Sequence, residues 1–106
     1  MTDPVVSYDL LTTGLLQDPD LDVSETATGL HVRGTLFAYL DDGELVVDLP
    51  QARARDLVGR EVAAPVAAGR AEAKGAWVSV ADPEDWAELA AEAHQFVGEP
   101  AVGMDS

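Results

Sequence analysis

The chain has 106 residues, 47 % apolar and 25 % charged, which fits one folded domain and excludes global disorder. It holds no cysteine, so disulfides, thiolate metal sites and cysteine nucleophiles are ruled out. Twenty acids face six bases, and the net charge of -14 repels phosphate backbones and anionic membranes.

The opening MTDPVVSYDLL has neither the basic start nor the apolar run of a signal peptide. No stretch of about 18 apolar residues is present to span a membrane. A cytoplasmic location is the expectation. Asp3-Pro4 signals a helix start, with Asp as cap and Pro at the first helical position. Val5, Tyr8, Leu11, Leu15 and Leu16 then fall at helical spacing. Gly14 weakens this helix by about 1 kcal/mol relative to Ala. The helix should stop near Asp18-Pro19, because the residue before proline disfavours the α region.

Residues 21–33, LDVSETATGLHVR, are β-branched and alternating, with a break at Gly29. They predict two short strands, or one strand with a bulge. Thr35–Leu40 and Glu44–Leu49 flank Asp41-Asp42-Gly43, a strong hairpin signal. Strict alternation places Leu36, Ala38 and Leu40 on one face of the first strand, with Phe37 and Tyr39 on the other. On the second strand Leu45, Val47 and Leu49 share a face, and Val46 and Asp48 the opposite one. If the sheet is covered on one side only, Asp48 points to solvent.

Pro50 starts a short helix, QARARDLV, ended by Gly59. Glu61–Ala68 reads as an edge strand because Pro65 interrupts it. Gly69 and Gly75 punctuate the loop that follows, and AWVSV at 76–80 is a clear strand. Asp82-Pro83-Glu84-Asp85 opens the last helix, with Asp82 as cap and Asp85 as its capping-box partner. Trp86, Leu89, Ala90, Ala93, Phe96 and Val97 share one face of that helix, and Gly98 ends it. The order predicts an α+β fold: a single antiparallel β-sheet with N- and C-terminal helices packed on it in two layers. One domain is expected over residues 1–98, with 99–106 as a flexible tail.

Candidate chemistry is sparse. His31 and His94 have no partner at metal-ligand spacing, and a structural role is the simpler reading of each. Asp18, Asp20 and Asp22 open like a calcium loop, but Val23 and Gly29 stand where that loop needs Gly and Glu. Ser7, Ser24 and Ser79 lack a nucleophile-elbow setting. Gly69–Gly75 lacks the Gly-Lys-Ser/Thr ending of a phosphate cradle. No metal site, cofactor or catalytic constellation is expected, and the chain reads as a non-enzyme.

The bases are unevenly placed. Residues 1–52 carry a net charge of -9, residues 53–74 of +2, and residues 75–106 of -7. Two explanations compete for the basic middle. Its arginines neutralise carboxylates such as Asp56, Glu61 and Glu72, or acids brought near by folding. Alternatively, Arg53, Arg55, Arg70 and Lys74 converge beside Trp77 into a site for a small anion or a peptide carboxylate, which arginine forks favour.

The stretch Gly34-Thr-Leu-Phe37-Ala-Tyr-Leu40, followed by Asp42-Gly43-Glu-Leu45-Val46-Val47-Asp48-Leu49-Pro50, resembles the hairpin of small MmcQ/YjbR-like proteins and the related TfoX N-terminal-like domains. The likeness continues through the helix after Pro50, the Gly69-Arg70 turn, Lys74 before Trp77-Val78-Ser79-Val80, and a last helix ending Ala93-His-Gln-Phe96-Val97. It spans about 80 residues. The resemblance implies a compact α+β fold with a single antiparallel sheet. Members are often labelled DNA-binding, and acidic secretion chaperones share the broad architecture, so fold does not fix function. Three departures stand out. Asp48 replaces a Lys before Leu-Pro, Thr26-Ala27-Thr28-Gly29 replaces a Met-Phe-Gly segment, and Lys74-Gly75-Ala76-Trp77 alters a Met-Lys-Glu-Trp-like stretch.

The expectation is therefore a small, non-enzymatic cytoplasmic binding protein without cofactor, its partner an unknown protein or small anion. DNA binding and an acidic chaperone-like interaction module are the alternatives. The net charge disfavours tight nucleic-acid binding, since that needs several Lys/Arg–phosphate contacts.

Overall fold

A computed structural model describes residues 3–98; the proposed tail at 99–106 lies outside them. Helix α1 (Pro4–Leu16) begins as expected: the Asp3 side chain accepts the Val5 N–H at 2.9 Å, with proline next in line. Asp18 caps a 3-10 turn, Pro19–Leu21, in the same way, accepting the Asp20 N–H at 3.0 Å.

Strands β1 (Val23–Glu25), β2 (Leu30–Val32), β3 (Thr35–Asp41) and β4 (Glu44–Leu49) form an antiparallel meander. Two tight turns make it possible. Arg33-Gly34 has φ of 54° and 85°, and Asp42-Gly43 has 52° and 80°. Paired positive φ values match the right-handed twist of the strands, and Gly supplies one at little strain. Helix α2 (Gln51–Gly59) crosses to β5 (Ala63–Pro65), and β6 (Ala76–Val80) returns between β5 and β4. The sheet order is β1-β2-β3-β4-β6-β5, so the Pro65 strand is at an edge, where its missing N–H is tolerated. Asp82 caps a 3-10 turn, Pro83–Asp85, that leads into α3 (Trp86–Gly98). Its side chain accepts from Glu84 N rather than from Asp85 N, because that first turn is 3-10.

The main core lies between one sheet face and the helices. Leu45, Val47, Leu49, Val78 and Val80 meet Trp86, Leu89, Ala90 and Ala93 of α3 and Leu57 of α2. Tyr8, Leu11 and Leu15 of α1 pack against the same cluster. Each fully buried Leu, Val or aromatic side chain here stabilises by about 1.5–3 kcal/mol. Trp86 also donates Nε1–H to Val80 O at 2.8 Å, which satisfies its one polar atom.

Two face assignments differ from strict alternation: Leu36 lies on the face of Tyr39, and Phe37 on the face of Ala38 and Leu40. Leu30 pairs with Ala38 and His31 with Leu36, so Phe37 is an extra residue on β3. This bulge turns Phe37 to the helix side, where its ring meets His94 edge-on at 5.5 Å. Tyr39 remains on the opposite face.

That opposite face is covered as well. Leu36, Tyr39, Val46 and Trp77 form a second, smaller cluster, closed by Val66 and Ala73 from the segment between β5 and β6. Residues 66–75 thus lie as a strap across the sheet.

Candidate functional site

Asp48 anchors the strap. It is 1 % exposed, and its carboxylate accepts the backbone N–H of Lys74 at 2.6 Å and of Gly75 at 2.9 Å. The solvent-facing placement expected for Asp48 is therefore corrected. That expectation assumed a sheet covered on one side only, and the strap covers the other. Two successive amides with no strand partner need an acceptor, and a buried carboxylate with two oxygens meets both. Gly75 is required where the strap rejoins β6, because a Cβ there would run into the Leu49 carbonyl. Gly69 is required where the strap passes over the indole of Trp77. Trp77 donates Nε1–H to Ala71 O at 2.7 Å, which ties the strap down a second time.

A groove of about 800 Å³ opens between α2 and the strap. Ala54 and Val58 come from α2, Val66 and Ala73 from the strap, and Trp77 forms part of the wall. Arg55 and Glu72 are its two charged residues. The groove exists because the strap sequence PVAAGRAEAKGA is rich in Ala and Gly, which are too small to fill the space under α2.

The structure brings two of the five singled-out residues, Arg55 and Trp77, into this groove. The other three are engaged elsewhere. Arg53 points toward α3 and makes a two-pronged contact with Glu92: Nε to Oε1 at 2.9 Å and Nη2 to Oε2 at 3.0 Å. Its Nη1 also reaches Asp56 at 3.4 Å. The Glu92 hydrogen bond holds the Arg53 guanidinium above its ordinary pKa, against a smaller opposing effect of burial. Arg70 fastens the strap to the meander, donating to Thr28 O at 2.9 Å and Leu40 O at 3.3 Å. It also stacks 4.4 Å from the Tyr39 ring centre. Lys74 donates to Phe96 O at 2.7 Å, near the C-terminus of α3, where a cation meets the negative end of the helix dipole. So the four cations do not converge. Arg53 and Arg55 are two apart on a helix, about 200° around its axis, so they serve opposite sides. The Arg55 side chain makes no hydrogen bond or ion pair among the described residues.

The remaining titratable groups are scattered. His94 Nε2 lies 2.6 Å from Leu21 O, consistent with an N–H donor holding the 3-10 turn to α3. His31 is on β2 and half-buried. Burial pushes the Tyr8 phenol above its ordinary pKa of 10.0, and nearby Glu25 adds to the effect. Among the described residues no three His, Asp or Glu side chains gather as metal ligands would.

Sequence reasoning missed Asp48 and the groove. Gly69 and Gly75 were the available signal: a glycine at each end of a small-residue segment marks close backbone approach to another element.

Comparison with protein-family models, curated proteins and solved structures finds no match to this chain.

Proposed function

We propose that this chain is a non-enzymatic, MmcQ/YjbR-like binding protein of the cytoplasm, and that its ligand enters the groove between α2 and the strap. The observation that carries this reading is Arg55. It is a guanidinium with no partner among the described residues, on an otherwise largely apolar groove walled by an indole. Such a groove fits a ligand with an apolar body and one planar anionic group, which an arginine fork grips with two parallel bonds. Glu72 in the same lining and the net charge of -14 work against multiply charged anions. A single carboxylate, as at the end of an apolar peptide, is the chemistry that balances these terms.

The test is a fluorescence titration that follows Trp77 in a Trp86→Phe background. The probes are a short Ala/Leu peptide with a free C-terminal carboxylate and the same peptide amidated. The carboxylate form should bind at least about tenfold more tightly, the worth of one charged contact of about 1.4 kcal/mol. Arg55→Gln should erase that difference and leave stability unchanged. Equal binding of the two forms, or none of either, would refute the reading.

A further inference from the structure

We infer that a second ligand site lies at the β2 end of the sheet, away from the groove beside β5 and β6, and that it takes a free aliphatic amino acid in its zwitterionic form. A cavity of about 490 Å³ opens between the 3-10 turn Pro19–Leu21, the end of β2 and the C-terminal half of α3. That volume lies within the range of about 300–1,000 Å³ found for small-molecule sites. Leu15, Leu21 and Val32 supply apolar wall, and Asp20 and Arg33 bring one charge of each sign. The walls are pinned to one another: His94 Nε2, on α3, lies 2.6 Å from Leu21 O.

The observation that carries the inference is a pair of opposite charges that do not meet. The Asp20 carboxylate and the Arg33 guanidinium line one cavity, yet neither side chain makes a hydrogen bond or ion pair among the described residues. A gap between unlike charges is filled by a molecule that carries both. Its carboxylate meets the Arg33 fork and its ammonium meets Asp20. Turn chemistry does not account for the arginine. At φ 54° Arg33 sits in the left-handed region, which Asn, Asp or Gly adopts with less strain. Asp42, at φ 52°, fills the matching place in the β3–β4 turn.

The same two charges exclude simpler ligands. A phosphate or a plain carboxylic acid meets Asp20, and the net charge of -14 repels it on approach. An amine alone meets Arg33. A zwitterion has no net charge, so the field of the protein does not oppose its entry. The three aliphatic walls then choose among zwitterions, because burying a branched apolar side chain against them is favourable in proportion to its area.

The experiment is a heteronuclear NMR titration of the full chain with four probes. They are leucine, leucinamide (no carboxylate), isocaproate (leucine without its amine) and glycine (both charges, no apolar side chain). Leucine should bind with a dissociation constant on the order of 0.1 mM and shift the amides of Leu21, Arg33 and His94. Each of the other three should bind at least about tenfold more weakly, the loss of one charged contact or of the apolar burial. Arg33→Gln should weaken leucine about tenfold and leave leucinamide binding unchanged. Asp20→Asn should weaken leucine likewise and leave isocaproate binding unchanged. Both variants should keep the native melting temperature, since neither side chain has a partner to lose. Absence of shifts with leucine up to about 10 mM, roughly a hundred times the expected dissociation constant, overturns the inference. So do shifts confined to residues outside the cavity, equal binding of leucine and any other probe, or leucine binding indifferent to either variant.

Discussion

Replacing Asp48 by Asn tests whether one buried carboxylate holds the strap. The amide is nearly isosteric, so the volume at this position, opposite Trp77 on β6, is kept. Asn retains a single carbonyl oxygen, and its NH2 group then faces the second backbone N–H. One of the two amides, Lys74 N or Gly75 N, is left without an acceptor. An orphaned buried donor costs about 1–3 kcal/mol, and the surviving bond drops from charge-assisted to neutral, a further loss of about 1 kcal/mol. The total, about 2–4 kcal/mol, is a large share of the roughly 5–15 kcal/mol that stabilises a domain of this size. Chemical denaturation should show that loss as a lower midpoint. Hydrogen exchange gives the local reading. The Lys74 and Gly75 amides should be strongly protected in the native protein although they lie outside any strand, and the survivor should exchange about 30- to 1000-fold faster in the variant. If Asp48→Asn shifts stability by less than about 0.5 kcal/mol, or if these two amides exchange in the native protein as fast as those of Ala67 and Ala68, the latch is not what holds the strap.

Three further outcomes are expected. Arg53→Gln should destabilise by about 0.5–1 kcal/mol, because the pair with Glu92 is partly exposed; a double-mutant cycle with Glu92→Gln should recover most of that as coupling, and more at low salt than at high. Arg70→Gln with Lys74→Gln should lower the melting temperature and leave peptide binding in the groove intact, since both side chains bond to backbone carbonyls away from it. The raised Tyr8 pKa gives a sign for alkaline pH: the unfolded phenol ionises first, so stability is full below about pH 10 and declines as pH rises through the folded value. A pH series of melts should therefore show a shallower alkaline decline for Tyr8→Phe, and an unchanged decline would contradict the burial of that phenol.

The elements legible in the sequence were those fixed by local chemistry. Asp3-Pro4, Asp42-Gly43 and Pro65 each act within a few residues, and the structure places the helix start, the hairpin turn and the edge strand where they point. The failures came from contacts distant in sequence. Asp48 meets amides 26 and 27 residues away, and no pattern within β4 distinguishes that from a solvent-facing acid. Leu36 and Phe37 exchange faces because β3 carries one residue more than β2, a property of the pair of strands and not of either alone. Arg53 and Arg70 find partners 39 and 42 residues away. The basic middle segment looked like one site because its charges are close along the chain, but on a helix followed by a strap they point several ways. Helical arithmetic alone separated Arg53 from Arg55, and it was the one part of the cluster the sequence could have resolved.

Scarcity of cations decides what the surface offers to a partner. Of six lysines and arginines, Arg53 and Arg60 share Asp56, and Arg53 is held chiefly by Glu92. Arg70 and Lys74 close the fold through carbonyls. The side chains of Arg33 and Arg55 remain without a hydrogen bond or ion pair among the described residues. They lie far apart in the fold: Arg33 at the β2–β3 turn, and Arg55 on the helix that packs on β5 and β6, with β3 and β4 between. A phosphate backbone needs a row of cations, each adding close to one unit to the salt dependence of binding. Recruiting that row here would mean pulling Arg70 and Lys74 off the carbonyls that fasten the strap. Arg53 would also have to leave Glu92 and uncover that acid. A lone guanidinium beside an apolar groove asks for nothing of the kind. It receives one carboxylate with every other pair intact, and this is why the proposed ligand is a single anionic group on an apolar body and not a nucleic acid.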